Sequence, residues 1–156
     1  MSMRIHKDQR ISLLRGVELF SNCTTAELQQ LASLATEYQA PAGEALAVQD
    51  QMGREFFIIV EGTARAFRNG IFLADLAPTD FFGELALLDG GRRTATVVAQ
   101  TDLRLLVLSS GEFKELFRSY PSVTRKIVAV LAARLRKADE MLGDASLHGA
   151  TTYVAL

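Results

Sequence analysis

Between Phe82 and Val97 the chain sets Gly83, Glu84 and Arg93 into a stretch otherwise rich in Leu, Ala, Thr and Val. An arginine in apolar company is costly to desolvate unless an anion meets it. Glu84, nine residues upstream of Arg93, fits that part as one half of a structural ion pair. The same two side chains fit a bound molecule carrying a phosphate and hydroxyls, with the guanidinium on the phosphate and the carboxylate on a hydroxyl. Both readings stand on these residues alone.

Other chemistries find little footing. Cys23 is the single cysteine and has only His6 and His148 for company, so neither an intrachain disulfide nor a zinc site is expected. A lone cysteine of this kind reads as a small core residue. A formal charge of −1 and a pI near 6.1 give no general pull toward nucleic acid or anionic membrane. No run reaches the ~18–20 apolar residues of a membrane span, and the first residues lack a signal-type apolar segment. The expectation is a soluble cytoplasmic protein with a core of its own, since 49% of 156 residues are hydrophobic.

The elements that must position these residues read helix, then β, then helix. Ile11 to Phe20 suits a short helix and connector. Thr24-Thr25-Ala26-Glu27 has capping-box form ahead of Leu28, Leu31 and Leu34. From Gly43 to about Leu108, short β-type runs alternate with turn residues, Gly53, Glu61-Gly62, Asn69-Gly70, Pro78 and Gly90-Gly91 among them. Asn69-Gly70 is the strongest hairpin signal, because a type I′ turn needs positive φ at both central residues. Ser109-Ser110-Gly111-Glu112 is a second capping box. After Pro121 a helix is expected from about Ser122 to Leu142, with Ile127, Leu131, Leu135, Ala138 and Leu142 in one stripe and Gly143 as its stop. The fold class expected is α+β: an antiparallel, jelly-roll-like β-roll with flanking N-terminal helices and two C-terminal helices. One domain covers 1–156, divided into N-terminal helices at 1–40, the roll at 41–108, helices at 109–142 and a tail at 143–156.

With that order in place, Phe82-Gly83-Glu84-Leu85-Ala86 and Arg93-Thr94-Ala95-Thr96-Val97 resemble the composite motif of the cyclic nucleotide-binding domain family. Pro41-Ala42-Gly43-Glu44 and Phe56-Phe57-Ile58-Ile59-Val60-Glu61-Gly62 resemble its earlier β signatures. The resemblance implies a receptor rather than an enzyme, with cAMP or cGMP as ligand and no further cofactor or metal. It implies that Arg93 and the backbone N–H groups of Leu85 and Ala86 hold the cyclic phosphate, that Gly83 allows close backbone approach, and that Glu84 accepts from the ribose 2′-hydroxyl. Thr94 and Ala95 belong to the same site, and Leu73, Leu76 and Phe81 supply apolar walls or ordinary core.

For the base, Thr94 permits cGMP without excluding cAMP. Asp139, near the end of the last helix, stands where a side chain can reach the base, or is a solvated helix-end acid. The reading leans to cAMP. No helix-turn-helix or kinase signature follows the last helix, so a DNA-binding output is not expected. A homodimer or a separate effector would meet the 122–142 helix. The competing reading keeps the β-roll as a ligand-free protein-interaction module, with Glu84–Arg93 as a structural pair.

Overall fold

The computed structural model describes residues 4–85 and 91–148. Helix α1 runs Lys7–Arg15, a short 3-10 helix Glu18–Phe20, and α2 Thr25–Leu34. Among the described residues eight strands follow: β1 Thr36–Ala40, β2 Ala45–Ala47, β3 Glu55–Glu61, β4 Ala64–Arg68, β5 Ile71–Leu76, β6 Phe81–Phe82, β7 Thr96–Ala99 and β8 Leu103–Ser109. Helices α3 (Ser110–Ser119) and α4 (Pro121–His148) close the described chain. The strands form two four-stranded antiparallel sheets, β1-β8-β3-β6 and β2-β7-β4-β5. The α+β roll with flanking helices is therefore the fold.

Local chemistry explains the boundaries. Thr24 and Glu27 cap α2 reciprocally, as Ser109 and Glu112 cap α3. Asn69 (φ +53°) and Gly70 (φ +74°) turn β4 into β5. Pro121 opens α4, where its missing N–H costs nothing.

Two boundaries depart from the sequence reading. The stretch 1–40 is not all helical, because Thr36–Ala40 forms β1 along the free side of β8. Its Thr, Glu, Tyr and Gln suit a half-exposed edge and give no apolar alternation to detect. Helix α4 also runs through Gly143 to His148, so the tail does not begin at 143. A glycine inside a helix costs only about 1 kcal/mol relative to alanine, and it ends a helix when it takes a left-handed cap, not by its presence. Residues 149–156 lie outside the described residues.

Sheet β1-β8-β3-β6 has two buried faces. Phe56, Ile58, Leu106 and Leu108 pack against the helices with Phe20, Leu28, Leu31, Phe113, Val123 and Ile127. Phe57, Ile59, Leu103 and Leu105 face into the roll, against Ala64, Ala66, Val97 and Ala99 of the second sheet. That double burial is why Phe56 to Ile59 reads as a continuous apolar run. Among the described residues no helix is long and apolar enough to cross a membrane.

Candidate functional site

Arg93 lies just ahead of β7 and is 6% exposed. Its Nη1 donates to the Glu55 carbonyl at 2.9 Å and its Nη2 to the Glu55 carboxylate at 3.2 Å. Its Cζ sits 5.8 Å from the centre of the Phe57 ring. Burial pushes the guanidinium below its usual pKa, and the Glu55 carboxylate pulls the other way. Arg93 thus remains a cation whose main anionic neighbour, Glu55, has a side chain 51% exposed. A structural pair between Arg93 and Glu84 is not what the structure contains: the ion partner is Glu55, from the start of β3.

Two glycines make room for this arrangement. Gly83 adopts φ +88°, where a side chain is strained, and a Cβ there would lie 2.5 Å from the Glu55 carbonyl and 2.8 Å from Arg93 Nη1. At Gly53 a Cβ would lie 1.8 Å from Arg93 Nε and 2.2 Å from Cζ, inside the guanidinium. The loop carrying Gly53 is stitched to the arginine's own backbone. Asp50 N–H donates to the Arg93 carbonyl at 2.9 Å, and Arg93 N–H to the Gln51 carbonyl at 2.8 Å. The side chain and the space it occupies are therefore held by one local network.

Glu84 follows Gly83, is 3% exposed, and starts a helical turn that continues through half-buried Leu85. Ala86 lies outside the described residues. Thr94 is half-buried, and its carbonyl accepts from Arg68 Nε at 2.8 Å. Ala95 and Leu76 are buried in the roll interior, with Leu73 packed against them. Phe81 goes elsewhere. Adjacent strand residues point to opposite faces, so Phe82 enters the roll and stacks on Phe57 at 4.7 Å, while Phe81 packs among the helices on Phe56 at 5.6 Å. As a wall of the roll interior Phe81 is corrected to Phe82. Asp139 is exposed on α4, beyond Val123, Ile127 and Val130, which anchor that helix in the helical core.

Glu55, Gly53 and Phe57 are the residues that the sequence reading missed. The available signal was an acid opening an otherwise apolar strand, with a glycine two residues before it. A hollow of about 570 Å³ borders Glu55 and Phe57, but the rest of its lining comes from β1, β2 and β8 and their flanks, with no residue of the 82–97 stretch. Elsewhere, burial first of all pushes the Cys23 thiol up to about 11, consistent with an inert core residue.

A model of the family described as "Cyclic nucleotide-binding domain" matches residues 37–120. The chain is similar to the Cyclic AMP receptor protein of Thermus thermophilus, 33% identical over 147 residues that take in 91% of this chain and 68% of that protein. It is similar to the cAMP-dependent protein kinase regulatory subunit of Aspergillus niger, 32% identical over 117 residues, 74% of this chain and 28% of that protein's length. Among solved structures it resembles the N-terminal domain of a transcriptional regulator from Streptomyces coelicolor A3(2), with a TM-score of 0.76 and 28% identity over 83% of this chain and 94% of that one.

Proposed function

The chain belongs to the cyclic nucleotide-binding domain family, and from that premise we propose that it is a non-enzymatic receptor for cAMP or cGMP. The observation that carries this reading is Arg93, a buried guanidinium in a glycine-walled recess whose carboxylate partner is half in solvent. A cyclic phosphate entering beside Gly83 takes a charge-assisted bond from Arg93, and the Glu55 carboxylate can swing toward water. The family likeness assigns the same anion to the backbone N–H groups of Leu85 and Ala86. Glu84 accepts from the ribose hydroxyl, Thr94 and Ala95 border the base, and Leu73 and Leu76 supply apolar wall.

cAMP is the favoured ligand, in keeping with the cyclic AMP receptor of Thermus and the cAMP-dependent kinase subunit of Aspergillus to which the chain is similar. The reading calls for no cofactor or metal and for a cytoplasmic setting. The signal passes through the C-terminal helix, whose exposed Val128 and Leu135 stand seven residues apart on one face and suit a second copy or a separate effector. The competing module reading asks Glu84 to neutralise Arg93, a role that Glu55 occupies.

Calorimetric titration of the intact chain with each nucleotide tests the proposal. Binding in the micromolar range or tighter, stronger for cAMP, is expected. Protein that binds neither nucleotide at millimolar concentration would overturn it.

A further inference from the structure

We infer that Arg134 is a positioning residue for the nucleotide site, acting through Phe81. This inference rests on the receptor reading above. Strand β6 is two residues long and is paired to β3 at two positions, Phe57 with Phe82 and Ile58 with Phe81. Gly83 and Glu84 follow at once, so whatever holds the two phenylalanines sets where the phosphate-facing backbone begins. Phe82 is held from inside the roll by its stack on Phe57, the ring beneath Arg93.

Phe81 is held from the other side. It packs on Phe56, and the Arg134 guanidinium of α4 lies over its ring, Cζ 5.2 Å from the centroid. Arg134 Nε in turn pairs with the Glu18 carboxylate of the 3-10 helix at 3.4 Å. Arg134 therefore ties α4 and the N-terminal helices to the residue two places before Gly83. A contact that fixes Phe81 favours one placement of Gly83 and Glu84, and binding at that placement must favour the same contact in return.

Titration of cAMP into Arg134→Met, Arg134→Lys, Phe81→Leu and the Arg134→Met/Phe81→Leu double variant tests this, with amide exchange over residues 127–137 read with and without nucleotide. Methionine keeps the apolar stem and removes the cation, so a purely packing role predicts wild-type affinity for it. The expected results are a Kd weakened threefold to tenfold in Arg134→Met and in Phe81→Leu, a double variant within twofold of the weaker single, and Arg134→Lys between wild type and Arg134→Met. Nucleotide should slow exchange in 127–137 of the wild type, and less so in Arg134→Met. Arg125→Gln, on an exposed position of the same helix that is given no part in the site or the partner face, should bind like wild type. Single variants that bind like wild type, or losses that simply multiply in the double variant, would overturn the inference. If Phe81→Leu does not fold, the order wild type, Lys, Met at position 134 decides alone. A wild type that binds no nucleotide removes the receptor reading and this inference together, whereas a binding wild type with unmoved variants removes only the role of Arg134.

Discussion

The two faces of sheet β1-β8-β3-β6 are both buried, yet they are built from different side chains. Among the described residues the helical side gathers rings around Phe56: Phe20 at 6.0 Å, Phe81 at 5.6 Å and Phe113 at 5.9 Å. In the roll interior, six of thirteen buried residues are alanines: Ala40, Ala47, Ala64, Ala66, Ala95 and Ala99. Bulky interlocking rings make a face that resists deformation and transmits displacement. The small side chains occupy little of the space between the two sheets, and the buried Arg93 guanidinium lies over the Phe57 ring on that side. The same sheet thus offers a ring-filled face to the helices and, on the proposed reading, a receptive face to the roll.

Substitutions should separate these faces. Phe56→Ala, at the centre of the ring cluster, is expected to cost about 3–5 kcal/mol of stability, read as a large fall in Tm; a loss under about 1 kcal/mol would mean that the helical face is not the rigid one. A smaller effect is expected at Glu27, which joins α2 to the start of α4. Burial raises its pKa, but hydrogen bonds from Lys126, Ser122 and Thr24 outweigh that and hold it down to about 2. Because the folded value is depressed, this contribution is complete above pH 4.5, the ordinary value, and is lost as pH falls toward 2. Acid melts should show a loss on the order of 2–3 kcal/mol across that window, flattened in Glu27→Gln. Identical acid limbs in both proteins would rule the clasp out. On the receptive face, Gly53→Ala should displace the Arg93 guanidinium, weakening nucleotide binding by about 1–3 kcal/mol while lowering stability less. Equal losses in both would erase the distinction between the faces.

The parts of this account legible in the sequence are those governed by neighbours in the chain. Thr24 with Glu27, Ser109 with Glu112, and Asn69 with Gly70 announce their caps and turn because the partners lie within a few residues. Gly83 and Glu84 stand out by residue type and spacing, and both belong to the buried neighbourhood of β6. What stayed hidden depends on distant packing. Nothing in adjacent Phe81 and Phe82 says which ring enters the roll until the face of β3 is known. The partner of Arg93 lies 38 residues away, at a strand end with no motif around it. β1 is polar because it lies at an edge, and polar residues in a row look like a loop.

If Arg93 is kept buried for an anion that arrives, with Glu55 as its resident neighbour, its truncation should cost binding more than stability. Calorimetry with cAMP on wild type and Arg93→Ala, each paired with a thermal melt, tests this most directly. Binding should be weakened by about 2–5 kcal/mol in Arg93→Ala. Stability should fall by less than binding does, because the carboxylate left behind on Glu55 is half in water. Unchanged affinity with a collapsed melting temperature would contradict it, and would make Arg93 a structural ion-pair residue after all.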